Sequence, residues 1–144
     1  MKYETTKIKD VIHFIPDKVE DERGYFRETF KKDEILKYFN PIQQNVSFSQ
    51  KGVFRGFHFQ KEYPQAKVVT CTKGKIIYFA IDLRKDSDTY GEYVREILFS
   101  EDNNSLFVPK GFAHGFLALV DSTVSYLVDE EYKPYDECGI KYDY

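Results

Sequence analysis

The sequence predicts an all-β protein built as a double-sheet jelly roll, with one short helix near the N-terminal third. Short runs rich in Val, Ile, Phe and Tyr recur along the chain with turn residues between them, which is typical of a sandwich or barrel. Strands do not alternate with helices, which argues against a parallel α/β sheet. The 144 residues suffice for one core, so we expect a single domain over residues 1–144.

Ten runs are predicted as strands. In chain order they are 11–15, 25–30, 45–48, 53–59, 67–72, 76–83, 93–99, 106–108, 116–120 and 123–128. The helix is predicted over 33–39, because Asp33 is a plausible N-cap and Asn40-Pro41 stops the pattern. The run 76–81 is apolar at every position, which predicts a strand covered on both faces.

Composition excludes several classes of protein. A formal net charge of -3 argues against a nucleic-acid surface, which needs a clustered basic footprint. No window approaches the roughly 20 apolar residues that cross a bilayer, and the first residues lack the apolar core of a signal peptide. Cys71 and Cys138 have neither CxxC spacing nor the density of a secreted scaffold. We therefore expect two free thiols, no membrane partner and a cytoplasmic location.

The three histidines differ in their surroundings. His13 lies in an apolar run without polar neighbours, which indicates a structural role. His58 and His114 lie among aromatic residues, where a histidine is usually a core residue. However, Gly56 and Gly115 are close to them, and glycine inside a strand often marks a bulge or a close backbone approach to a ligand. This favours a functional role for His58 and His114.

Strand alternation places the other candidates. Simple alternation puts Arg55 and His58 on opposite faces, so both reach one pocket only if a bulge at Gly56 shifts the strand by one residue. Lys67 shares a face with apolar residues, which is costly unless it has a partner or a function. Tyr126 also faces inward on its strand, either as a core tyrosine bonded to a carbonyl or as a site residue.

Metal binding is disfavoured. The PxGxxH of residues 109–114 resembles the second half of the metal-binding cupin signature, but the first half, which needs HxH, is His58-Phe59-Gln60 here. An amide is a poor ligand for a transition metal, so we expect no metal and no other cofactor. There is also no glycine-rich phosphate loop, which leaves Arg23, Arg55 and Lys67 to hold an anionic ligand.

Several long motifs together resemble one family. Residues 21–30 match a DxRGxFxExF pattern, 43–47 match QxNxS, and 52–60 match GVxRGxHxQ. Further matches follow in the same order at 66–69, 82–87 and 109–116, and Tyr126 precedes Tyr132-Lys133-Pro134 by six residues. Over nearly its whole length the chain thereby resembles the dTDP-4-dehydrorhamnose 3,5-epimerase family.

The resemblance implies a cupin fold without a catalytic metal, a homodimer, and a nucleoside-diphosphate 4-keto-6-deoxy sugar, most simply a dTDP sugar, as substrate. The ketone at carbon 4 acidifies the protons at carbons 3 and 5, so the resemblance implies an epimerase that inverts carbon 3, carbon 5 or both. In the family's mechanism His58 matches the base, Lys67 the cation near the enolate oxygen and Tyr126 the proton donor. The matched substrate-binding residues are Arg23, Glu28, Gln43, Asn45, Arg55, His114 and Tyr132.

The chain departs from the family's pattern at three points. Tyr78 stands where the family has an aspartate, and Val46 stands where a histidine is common. The family's chains also usually continue for a few dozen residues, where an aspartate partners the catalytic histidine, so we expect a short variant without that tail.

Two alternative functions remain open. One is a nucleotide-sugar 3,4-ketoisomerase, a related cupin that also works through an enediol-type intermediate. The other is a sugar-nucleotide-binding protein that has lost catalysis. The RGxHxQ core with an inward Tyr126 favours the epimerase, and a pure binder has no need of His58, Lys67 and Tyr126.

Overall fold

The computed structural model describes residues 1–35 and 37–140, and within them two antiparallel sheets face each other. The first sheet has the order β1-β2-β10-β7-β12-β5. Its strands are β1 (Lys2–Thr5), β2 (Ile12–Ile15), β5 (Gln43–Ser49), β7 (Lys67–Lys73), β10 (Ser105–Val108) and β12 (Ser122–Val128). The second sheet has the order β13-β6-β11-β8-β9. Its strands are β6 (Phe54–Gln60), β8 (Lys75–Asp82), β9 (Tyr93–Phe99), β11 (Phe112–Ala118) and β13 (Glu137–Gly139).

Three smaller elements complete the described fold. A separate hairpin consists of β3 (Lys18–Asp21) and β4 (Gly24–Arg27). The Arg27 guanidinium joins this hairpin to the loop after β9, because it donates hydrogen bonds to the Ser100 carbonyl and the Asn103 side chain. The helix α1 spans Lys32–Ile35, and a 3₁₀ turn at Pro134–Asp136 precedes β13.

The main core lies between the two sheets. Val69, Leu106 and Val124 from the first sheet pack in one cluster with Ile76 and Leu98 from the second. A second cluster covers the outer face of the first sheet, where Phe39 packs with Phe14 and Phe107. Because the aliphatic core fills only part of the space between the sheets, polar side chains line the remainder, and there the cavity described below opens.

A bulge interrupts the pairing of β6 with β11. His114 pairs with His58 but Gly115 pairs with Gly56, so Phe57 is the extra residue on β6. Gly56 has a φ of +119°, and a Cβ there would lie 2.6 Å from the Gly115 Cα. Only glycine allows both this conformation and this approach. The predicted bulge at Gly56 is confirmed.

All ten predicted strands are present, with ends shifted by up to a few residues. The short polar strands β1, β3 and β13 were not predicted. Helix α1 is a single described turn rather than the predicted 33–39, and Leu36 lies outside the described residues. Phe39, the last residue of the predicted helix, is buried in the second core cluster.

Two side-chain expectations concern His13 and the cysteines. His13 is predicted to be structural, and its Nε2 lies 3.0 Å from the Glu96 Oε2, a polar partner that reaches across from β9 in the other sheet. A strand pattern could not reveal this contact, because the two residues are far apart in sequence. Cys71 and Cys138 are both free thiols, as expected. Within the described part of the chain, no helix is long and apolar enough to cross a membrane.

We predict that Gly56→Ala lowers the free energy of unfolding by about 3 kcal/mol or more, because the new methyl group meets the β11 backbone at an unfavourable φ. Gly91→Ala is the matched control: its φ is +83° but a Cβ there has nothing within 4 Å, so it should cost about 1 kcal/mol. Urea denaturation measures both. Equal losses would contradict the steric role of the β6–β11 approach.

Candidate active site

A cavity opens between the two sheets. It has an outer part of about 730 Å³ and an inner part of about 400 Å³, which is the size range of small-molecule sites. The two parts share six lining residues: His58, Lys67, His114, Tyr126, Tyr132 and Glu137. Because these six residues face both parts, we treat the two as one cavity.

The second sheet supplies the histidines. His58 on β6 and His114 on β11 are directly paired across the strands. Beyond the bulge, Arg55 also faces the inner part of the cavity. Its guanidinium donates to the Ser49 Oγ at 2.7 Å and to the Phe48 carbonyl at 3.0 Å. Arg55 is therefore held between β6 and the end of β5.

The first sheet supplies Lys67 and Tyr126. These residues lie on the neighbouring strands β7 and β12, and the Lys67 Nζ lies 5.4 Å from the centroid of the Tyr126 ring. Lys67 is buried and forms no ion pair with a carboxylate of the described residues. An unpaired buried ammonium is costly, so Lys67 suits a site that receives negative charge.

The inner face of β5 adds amides to the site. Asn45 lines the outer part of the cavity. Gln43 does not line it but donates to the Asn45 Oδ1 at 2.7 Å, and its Oε1 accepts from the Tyr132 backbone N–H at 3.1 Å. Gln43 thus orients Asn45 and Tyr132 rather than facing the cavity.

Glu137 is a cavity residue that sequence reasoning missed. It accepts a 2.7 Å hydrogen bond from the Tyr132 hydroxyl. The neighbouring Asp136 positions it, because the Asp136 carboxylate accepts from the backbone N–H groups of Glu62 and Tyr63. The only available signal was its closeness in sequence to Tyr132, because the 3₁₀ turn breaks the strand alternation that located the other residues.

Burial and neighbouring charges shift the site's pKa values. The His58 pKa falls to about 4, chiefly because the ring is desolvated and secondly because of the Lys67 ammonium. Desolvation also lowers the Lys67 pKa to about 8, opposed by Glu137. Burial raises the Tyr126 pKa. Near neutral pH the site therefore holds a neutral imidazole, a cationic lysine and a protonated phenol, which can act as base, charge stabiliser and acid.

Arg23 and Glu28 do not line the cavity of their own chain. The Arg23 guanidinium forms an exposed ion pair with Asp21 on the β3–β4 hairpin, and Glu28 lies 3.5 Å from the Lys31 Nζ. Of the ten predicted site residues, the structure brings seven to the cavity: Asn45, Arg55, His58, Lys67, His114, Tyr126 and Tyr132.

Gln60, in the position of a possible metal ligand, has a structural role. Its amide donates to the carbonyls of Tyr63 and Glu131 and accepts from the Lys133 N–H, so it ties two loops together. Within residues 1–35 and 37–140, no group of three His, Cys, Asp or Glu side chains is placed to hold a metal ion.

Comparison with known proteins identifies the family. Residues 5–144 match the family described as dTDP-4-dehydrorhamnose 3,5-epimerase. A relative of that name from Methanothermobacter thermautotrophicus is 45% identical over 142 residues, covering 96% of this chain and 77% of the relative. The chain belongs to the dTDP-4-dehydrorhamnose 3,5-epimerase family, and it is therefore an isomerase.

Solved structures agree with this assignment. The epimerase RmlC from Legionella pneumophila, in complex with dTDP-4-keto-L-rhamnose, superposes with a TM-score of 0.94 at 35% identity, covering 98% of this chain and 78% of that one. The dTDP-4-dehydrorhamnose 3,5-epimerase from Sulfolobus tokodaii gives a TM-score of 0.92 at 42% identity, covering 98% and 82%. The predicted all-β cupin fold is confirmed.

We predict a bell-shaped pH dependence of kcat/KM for epimerisation. Activity should fall below about pH 4 as His58 gains a proton, and above about pH 8 as Lys67 loses one. Initial rates measured by NMR check the acid and the alkaline limb of this pH profile. Samples returned to neutral pH should regain full activity, which confirms that the loss is reversible. A midpoint near the unperturbed histidine pKa on the acid side would contradict the desolvation of His58.

Proposed function

We propose that this protein inverts the configuration at carbon 3 and carbon 5 of a dTDP-linked 4-keto-6-deoxy sugar. One observation carries the proposal: His58 belongs to one sheet and Tyr126 to the sheet that faces it, and both line the same cavity. A base and an acid on opposite walls can act on opposite faces of a ring bound between them. Inversion at carbon requires removal of a proton on one face and its return on the other.

Each inversion then consists of two proton transfers. The neutral His58 removes the proton beside the ketone, and the electrons of the broken C–H bond form an enolate with its charge on the carbon-4 oxygen. Lys67 stabilises that charge, which is favourable because the buried ammonium has no carboxylate partner among the described residues. Tyr126 donates its hydroxyl proton to the opposite face of the same carbon. Exchange with water returns His58 and Tyr126 to their starting states.

The charge around the cavity suits a nucleoside diphosphate. Lys61, Lys67 and Lys85 line the outer part, and Arg55 lines the inner part. Guanidinium and ammonium groups bind phosphate oxygens through charge-assisted hydrogen bonds. Tyr132 is a half-exposed ring at the rim, held through its hydroxyl by Glu137. Its face is available to stack on a nucleotide base.

The test is proton exchange in heavy water. With dTDP-4-keto-6-deoxyglucose as substrate, NMR should show deuterium entering carbons 3 and 5 with inverted configuration. His58→Ala should slow this exchange at least about a hundredfold, because the variant lacks the group assigned to take the proton from carbon. The affinity for dTDP, measured by calorimetry, should change little, since the imidazole is assigned to the sugar.

His13→Ala is the matched control, because His13 lies on β2 and lines neither part of the cavity. It should exchange at the wild-type rate. Migration of the carbonyl from carbon 4 to carbon 3 would instead identify a ketoisomerase. Loss of dTDP binding in the His58 variant would assign that residue to packing rather than catalysis.

We further propose that the protein acts as a homodimer in which the β3–β4 hairpin serves the partner's cavity. Strand β5, at the edge of its sheet, turns polar residues inward and apolar ones outward: Val46 is 66% and Phe48 56% exposed. On the hairpin, Val19 and Phe26 are each 65% exposed. Such exposed apolar patches favour a protein partner. A second copy would also account for Arg23, which does not line the described cavity of its own chain.

We predict that two inactive variants restore activity when they are mixed. Arg23→Ala and His58→Ala should each be impaired, but a heterodimer contains one site with both native residues. Unfolded and refolded together in equal amounts, they should recover about a quarter of the wild-type sites. Sedimentation should give twice the 17.1 kDa chain mass. No recovery from a mixture that sediments as a dimer would place Arg23 in its own subunit's site.

A further inference from the structure

His114 has one ring nitrogen engaged and one free. Its Nδ1 lies 2.7 Å from the Tyr78 hydroxyl. Its Nε2 is buried with no hydrogen-bond partner among the described residues. His114 is only 2% exposed, yet it lines both parts of the cavity beside Lys67. A buried polar atom without a partner is costly, so the Nε2 edge of the ring is the edge left for a ligand.

The hydroxyl partner decides which nitrogen carries the proton. If Tyr78 donates to Nδ1, the hydroxyl is satisfied and the ring proton resides on Nε2. If Nδ1–H donates to Tyr78 instead, both the phenolic proton and the Nε2 lone pair are left unpaired. The first arrangement leaves fewer unsatisfied groups. An Nε2 lone pair would also need a donor, and among the described residues neither Lys67 nor any other side chain donates to it.

Packing fixes Tyr78 in this role. Tyr78 on β8 is paired with Phe116 of β11, and the two rings stack with centroids 6.3 Å apart. The Tyr78 ring also meets His114 edge to face at 5.8 Å. Burial raises the Tyr78 pKa, so the phenol keeps its proton, and burial with the nearby Lys67 ammonium lowers the His114 pKa, so the imidazole stays neutral.

We propose that Tyr78 is a positioning residue that holds His114 as the neutral, Nε2-protonated tautomer, so that His114 donates a hydrogen bond to the carbon-4 oxygen of the bound sugar. This inference rests on the proposed epimerase function. Lys67 and His114 then converge on one oxygen, which is a ketone in the substrate and carries the negative charge in the enolate. A second donor of this kind stabilises the transition state more than the ground state.

The tautomer is tested without substrate. In the ¹⁵N-labelled protein, the His114 Nε2 should give the signal of a protonated ring nitrogen and Nδ1 that of an unprotonated one, unchanged between about pH 5 and about pH 8. The His114→Gln spectrum assigns the signals by their loss. Tyr78→Phe should convert His114 into a mixture of tautomers. A proton found on Nδ1 in the wild type would overturn the proposal even if the protein is an epimerase.

The kinetic test is a double-mutant cycle. Tyr78→Phe should lower kcat roughly tenfold while the affinity for dTDP is kept, as expected for a residue that orients a site group. In His114→Gln the amide N–H takes the place of Nε2–H without needing Tyr78, so adding Tyr78→Phe to that variant should have little further effect. An equal loss in both backgrounds would assign Tyr78 to packing alone. Tyr93→Phe, at a half-exposed site outside the cavity, should match the wild type.

Discussion

Strands β6 and β11 leave no room for a side chain where Gly56 faces Gly115, and the composition of the site depends on that contact. Without the extra residue Phe57, Arg55 and His58 would point to opposite sides of the second sheet. The bulge turns both toward the first sheet, and the register beyond it sets His114 directly beside His58. A side chain at Gly56 would separate the strands and undo all three placements.

The two sheets and the rim contribute different chemistry. The second sheet holds the neutral imidazoles, and the first holds the ammonium of Lys67 and the phenol of Tyr126. At the rim, Glu137 pairs with Gln60 of β6 and follows Asp136, whose carboxylate accepts from the backbone N–H groups of Glu62 and Tyr63. Tyr132 lies outside the strands and is held by Gln43 and Glu137. His58, Lys67 and Tyr126 thus lie within strands of the two sheets, while Tyr132 and Glu137 at the mouth flank the 3₁₀ turn that ends at Asp136.

The sequence predicted site residues correctly where a polar side chain did not fit the simple alternation of its strand. Arg55 and His58 could share a pocket only through a bulge, and Lys67 on an apolar face needed a reason to be there. Prediction failed where the information was not local. The hydrogen bond between Tyr78 and His114 depends on the register of β8 and β11, which the sequence of neither strand reveals. Glu137 follows a 3₁₀ turn, and Arg23 lies in a motif that gives no sign of which cavity it faces.

The short unpredicted strands have the same explanation. β1, β3 and β13 are three or four residues long and mostly exposed, so they lack the alternation on which a prediction depends. Each is stabilised by pairing with a neighbour rather than by its own apolar face.

The solitary, desolvated ammonium of Lys67 also links ligand capture to the proton balance of the solution. Close to its pKa of about 8, a fraction of the empty molecules carries an uncharged amine at this position. An anion seated nearby favours the charged form, so each capture event withdraws part of a proton from the medium. The heat released on binding therefore contains a contribution from ionisation of the buffer. The affinity for an anionic ligand also falls as the pH rises above the Lys67 pKa, even when every contact is intact.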